Sequence, residues 1–173
     1  MRLRKTIFLA ISFLFLGLLV YYFYPENKLQ TEIQIDKLVV YKSKRQLLAF
    51  ANGQLMKTYT ISLGRQPIGH KEVQGDNKTP EGMYYIYSKN PYSVAHKNLG
   101  ISYPNKEDIK KAKQLGKPTG GDIKIHGLPN KLGFIHKFHR WVDLTYGCIM
   151  VTNQEMDELY KAVKIGTPIV INP

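Results

Sequence analysis

Cys148 is the only cysteine, and it stands in Thr145-Tyr146-Gly147-Cys148-Ile149. An isolated thiol of pKa about 8.5 is only about 3% thiolate at pH 7. A neighbouring imidazole raises that fraction and relays the proton, which is the Cys–His arrangement of covalent acyl transfer. His126-Gly127 is the candidate partner. It ends a short strand-forming run, Ile123-Lys124-Ile125, and a strand end holds a side chain within the tolerance that proton transfer needs. Gly147 lets the backbone beside the thiol approach a ligand closely. The alternative for a lone cysteine is an inert buried side chain. A single cysteine also excludes an intrachain disulfide framework and a Cys-rich zinc module.

Between the two motifs, Leu128 to Leu144 carries His136, His139, Arg140, Trp141 and Asp143. His136 and His139 have i, i+3 spacing, but there is no HExxH and few carboxylates stand nearby, so no metal and no other cofactor is expected. We read the segment as a cover over a cleft, with His139 and Arg140 facing a substrate carboxylate. The alternative is that Phe138 and Trp141 simply pack the loop down. His70 and His96 fall in polar stretches and are expected to be exposed.

The elements that must position these groups are short. Leu38-Val39-Val40-Tyr41 and Leu47-Leu48-Ala49-Phe50 read as strands, and Asn52-Gly53 as a two-residue hairpin turn. Tyr59 to Leu63 reads as a third strand and Arg65 to Lys78 as a polar loop. Thr79-Pro80-Glu81-Gly82 opens the strand Met83 to Tyr87. Ser88 to Pro104 shows no regular pattern. Asn105 caps a surface helix that Gly116 and Pro118 close. Thr152-Asn153 caps a helix over Gln154 to Val163, and Pro168 to Ile171 is a closing strand. Many short strands with two helices predict a mainly β fold, a sandwich or barrel.

The N-terminus supplies the cellular context. Arg2, Arg4 and Lys5 precede 19 uncharged residues, Thr6 to Tyr24. As a helix that run is about 28 Å long, just enough for the hydrocarbon core of a bilayer. No A-x-A-like cleavage site follows it, and Tyr21, Tyr22 and Tyr24 sit where an interfacial belt would lie. We expect residues 1–5 in the cytoplasm, 6–24 as an uncleaved signal anchor, 25–35 as a polar stalk, and 36–172 as an exported domain. A cleaved signal peptide is the alternative. Lys and Arg total 25 against 13 Asp and Glu, a formal charge of +12. Such a charge attracts polyanions, and export argues against nucleic acid among them.

Asp36 to Gly64, Thr79-Pro80-Glu81-Gly82, His126-Gly127 and Thr145-Tyr146-Gly147-Cys148-Ile149, in that order, resemble the catalytic domain of the L,D-transpeptidases (the YkuD family). The resemblance covers roughly Asp36 to Asn172. It implies a β-sandwich with short helices that acts on peptidoglycan stem peptides outside the bacterial cytoplasmic membrane; with the N-terminal anchor, that places the chain in the inner membrane with its domain in the periplasm or wall space. It maps the nucleophile onto Cys148, the catalytic histidine onto His126, and the carbonyl that orients that histidine onto Gly127. Backbone N–H groups around Gly147 and Cys148 would hold the oxyanion. The family commonly reads Ser/Thr-His-Gly-Cys with an Arg two residues on; here Tyr146 and Met150 take those places. Tyr146 would then help the oxyanion through its hydroxyl, or pack under the Leu128–Leu144 loop. Family branches without the second histidine include wall hydrolases, so transfer and hydrolysis both stay open. A wall-binding protein without turnover is a third reading.

Overall fold

The structure, a computed structural model, describes residues 2–173; Met1, at the head of the basic segment, lies outside them. Helix α1 (Arg2–Phe23) is apolar all round, and Leu3–Phe23 has a mean hydropathy of 2.3 with none of that stretch buried. A helix with no polar face needs an apolar surrounding, and this one is long enough to cross a membrane. It starts four residues before the uncharged run, because Arg2 to Lys5 add about one helical turn without a breaker.

The expected stalk is not a free tether. Leu29 and Ile35 are buried in the core of the domain. Ile35 N–H donates to Ala162 O at 2.9 Å and Gln34 Nε2 to the same carbonyl at 2.6 Å. Ile33 packs against the same core, so three aliphatic side chains in an otherwise polar stretch dock it.

Eight strands form one curled sheet in the order β3-β2-β1-β8-β4-β5-β6-β7. β1 (Lys37–Tyr41) and β2 (Gln46–Ala51) pair antiparallel, and β3 (Gln54–Thr60) follows the Asn52-Gly53 turn directly. Both turn residues have positive φ, 51° and 75°, as a type I′ turn requires. The third strand therefore lies earlier than Tyr59–Leu63. β4 (Gly82–Ser93) is the pivot. Its first residues pair with β8 (Pro168–Asn172); after an irregularity between Ile86 and Ser88 it pairs with β5 (His96–Ile101). The stretch expected to be irregular thus holds most of a hairpin. β5 pairs with β6 (Lys124–His126), which runs parallel to β7 (Ile149–Met150).

The sheet's two ends meet again beyond β3. Ser62 and Met150 exchange both backbone hydrogen bonds, at 3.0 and 2.9 Å, and Thr145 N–H donates to Leu63 O at 3.2 Å. A half-barrel therefore encloses Leu38, Val40, Leu47, Ile61, Leu63, Ile125 and Ile149. Helix α2 (Lys106–Gln114) is capped by Asn105 and α3 (Asn153–Ala162) by Thr152, each with a full capping box. Leu128–Leu144 contains a 3-10 helix, Gly133–Trp141, kinked at His136.

Candidate active site

β6 and β7 lie side by side in the parallel ladder, with Ile125 opposite Ile149 and His126 opposite Met150. One step back along that register brings Lys124 opposite Cys148. Side chains alternate along a strand, so Lys124, His126 and Cys148 share a face, while Ile125 and Ile149 point into the core.

His126 Nδ1 lies 2.7 Å from Gly127 O. A carbonyl only accepts, so Nδ1 carries the proton and Nε2 is left with its lone pair. Burial lowers the imidazole pKa below its usual value, with nearby Lys124 adding to the effect and the Gly127 bond opposing it. The ring is neutral at pH 7, in the tautomer a general base needs. Gly127 must be glycine: a Cβ would stand 2.7 Å from Asn153 Oδ1 and 2.9 Å from His96 Cβ.

The Cys148 thiol donates to Asp122 O at 3.7 Å. Burial raises its pKa, and the Lys124 backbone and ammonium pull it back part of the way. At neutral pH the pair rests as thiol and imidazole rather than as an ion pair. Thr145 shapes the turn that carries the thiol. Its Oγ1 donates to Cys148 O at 2.7 Å and accepts from Gly147 N–H at 3.2 Å. Of the two amides expected to face an oxyanion, Gly147 N–H is therefore occupied in the resting site, while Cys148 N–H has no side-chain partner among the described residues. Gly147 sits at φ 128°, and a Cβ there would come 2.5 Å from Lys78 O. Gly64 closes the other side, where a Cβ would be 2.9 Å from Gly147 Cα.

One wall of the cleft is the loop 65–78, which is ordered by ion pairing. Asp76 accepts from the buried Lys71 ammonium at 2.7 Å and from the N–H groups of Glu72, Val73 and Lys78. Tyr146 is 71% exposed, with the Arg65 guanidinium 4.7 Å from its ring centre. Neither expectation for Tyr146 describes the resting site: the ring is exposed rather than packed under the Leu128–Leu144 loop, and its hydroxyl has no partner among the described residues. With Lys71, Gln74, Asn77, Gly120 and Gly121 it lines a cavity of about 280 Å³. A larger cavity, about 630 Å³, lies between residues 22–28 and the start of α3, and Cys148 and His126 are not among its walls.

His139 and Arg140, expected to face a substrate carboxylate, are both engaged within the chain. The Arg140 guanidinium is held by Glu26, at 2.5 and 2.8 Å, and by Glu155 at 2.9 Å. Its carboxylate partners come from the segment just after α1 and from α3. His139 is buried with Nδ1 3.0 Å from Ser62 Oγ, and burial, with Arg140 beside it, pushes its pKa down to about 3. It is neutral and carries no charge to offer a carboxylate. His70 is likewise not loose: Nδ1 accepts from Glu81 N–H at 3.0 Å and Nε2 is 3.1 Å from Asp108. His96 is paired too, at 2.8 Å from Asp157. Among the described residues no group of three or more His, Cys, Asp or Glu is placed to hold a metal ion.

Thr145, Asp122, Lys124 and Arg65 were not singled out in the sequence. Thr145 had a signal, since Thr-x-Gly is a side-chain-closed turn; the other three act through backbone placement or long-range contact.

Residues 35–171 match the L,D-transpeptidase catalytic domain. The chain belongs to this family. YafK of Escherichia coli K12, named as a candidate L,D-transpeptidase, is 30% identical over 123 residues, which are 68% of this chain and 42% of YafK. The chain thus spans less than half the length of that relative. Among solved structures, the helical cell shape determining protein Pgp2 of Campylobacter jejuni aligns with TM-score 0.60 and 23% identity, over 84% of this chain and 51% of its own. Bd1075 of Bdellovibrio bacteriovorus aligns with TM-score 0.55 and 26% identity, over 82% and 49%. These likenesses agree on the mainly β fold, and family membership ties the L,D-transpeptidase domain to peptidoglycan.

Proposed function

We propose that the chain is a membrane-anchored L,D-transpeptidase-type acyltransferase with Cys148 as nucleophile and His126 as base. The observation that carries this reading is the His126 Nδ1–Gly127 O contact of 2.7 Å beside a thiol on the same sheet face. It leaves Nε2 as the free base of a neutral ring. His126 Nε2 takes the thiol proton as Sγ attacks the carbonyl at the L-centre of diaminopimelate in a tetrapeptide stem. The amide C–N bond breaks, the D-Ala amine receives that proton, and a thioester remains on Cys148. The amine of a second stem then attacks the thioester, gives up a proton through His126, and releases the thiol. The Cys148 N–H is the amide left to stabilise the oxyanion, and the Arg65–Tyr146 pair forms the polar rim that meets the acidic stem. α1 keeps the domain at the outer face of the inner membrane.

The test is incubation of the full chain in detergent with tetrapeptide muropeptides and mass analysis of the products. Dimers lacking one D-Ala are expected. Tripeptide monomers alone would make the activity hydrolytic, and unchanged muropeptides would remove the enzyme reading.

A further inference from the structure

The outer end of α1 does not hang free of the domain. Tyr21 stacks on Phe138 and Trp141, with ring centres 5.7 and 5.4 Å apart, and Tyr22 meets His136 at 5.2 Å. Lys137 is buried and donates to the carbonyls of Tyr21 and Tyr24, capping the end of the helix. Glu26, three residues past the helix, is clamped by Arg140. The 3-10 helix Gly133–Trp141 is therefore bolted to the last turn of the anchor. The docked stretch 25–35 gives the domain no slack to move away.

This geometry sets a depth. Tyr21 lies two residues from the end of α1, about 3 Å along the helix axis. The headgroup layer on each side of a bilayer is about 5–8 Å thick. Side chains touching Tyr21 stand at that level when α1 spans the membrane. Trp141 is one of them and is 59% exposed; on the same 3-10 helix Phe134 is 70% exposed, and Val142 follows Trp141 in the open. Lys131 adds an exposed positive charge just before it, and the 3-10 helix contains no acidic residue. Exposed apolar and aromatic groups flanked by basic ones suit an anionic lipid interface. Exposed aromatics also stack on sugars, but a glycan has no reason to lie at the depth of the anchor's own tyrosines.

We propose that the 3-10 helix Gly133–Trp141 is a second membrane contact, seating the catalytic domain on the lipid headgroups through Trp141 and Phe134. This rests on the reading of α1 as a membrane span. The cleft then lies beside the bilayer, since the same segment continues directly into Thr145–Cys148.

The chain reports on this without labelling, because Trp141 is its only tryptophan. The full chain is reconstituted into vesicles of phosphatidylcholine and phosphatidylglycerol, with bromine placed high or low on the acyl chains. Trp141 is expected to lose most of its emission to the high bromines, less to the low ones, and little to aqueous iodide. A Trp141→Phe, Phe134→Trp variant moves the reporter away from Tyr21 and is expected to behave the same way. If the chain floats with the vesicles but iodide quenches either tryptophan fully and bromolipid does not, the anchor stands and the lipid seat is overturned. If the chain does not float with the vesicles, the anchor reading fails and the seat falls with it.

Discussion

Thr145→Val tests whether the turn around Cys148 is pre-shaped or merely present. Valine keeps the volume and branching of threonine and removes one hydroxyl, which makes the bonds to Cys148 O at 2.7 Å and from Gly147 N–H at 3.2 Å. A net hydrogen bond contributes about 1 kcal/mol to stability, and this one hydroxyl is only half-buried, so the loss should be about 1 kcal/mol in total. For a chain of this size that lowers Tm by about 2–4 °C. The kinetic cost should be larger. Without the hydroxyl nothing ties Gly147 N–H to the cysteine carbonyl, and the turn is free to shift the thiol relative to His126. A misplacement of about 1 Å costs about 10²-fold in rate. We therefore expect acylation by a carbapenem, followed by stopped-flow absorbance, to slow by about 10- to 100-fold. Thr145→Ser, which keeps the hydroxyl, should restore most of the rate. Wild-type acylation by the valine variant would refute the positioning role of Thr145, whatever its Tm.

His126→Ala should lower acylation by about 10²–10⁴, whereas His139→Ala should lower Tm and leave the acylation rate close to normal; the opposite ranking would place the base on the wrong histidine. The pH profile of acylation should be a broad plateau. The His126 pKa lies below its usual value, so the acid limb, where the base becomes protonated, should fall below pH about 6.5; the Cys148 pKa is raised, so the alkaline limb should lie above pH about 8.5. An acid limb at neutral pH would show a charged His126 in the resting enzyme. Tyr146→Phe keeps the ring under Arg65 and should acylate normally; a tenfold or greater loss, the scale of a lost oxyanion donor, would put the hydroxyl at the oxyanion.

Much of the frame was legible because local chemistry set it. Asn52-Gly53 dictates positive φ at both turn positions, and Asn105 and Thr152 announce helix starts through side chains that bond their own third residue. His126-Gly127 and Gly147-Cys148 were legible as a pair, though not their adjacency, which the β6–β7 ladder creates across more than twenty residues. The second half of β4 and all of β5 were missed because Asn90-Pro91 interrupts the pattern and the strands are stabilised by each other rather than by periodicity. The partners of Arg140 and His139 are not legible for a similar reason. A guanidinium in a loop signals a carboxylate partner, but not whether that partner is a substrate or, as here, Glu26 and Glu155 from distant parts of the chain.

The most direct test of the central claim, that Cys148 forms an acyl-enzyme with His126 as its base, is the intact mass of the full chain after exposure to a carbapenem. One added carbapenem per chain is expected, carried by the peptide that contains Cys148, absent from Cys148→Ala and slow to form in His126→Ala. No mass increase, or the same increase in Cys148→Ala, would contradict it.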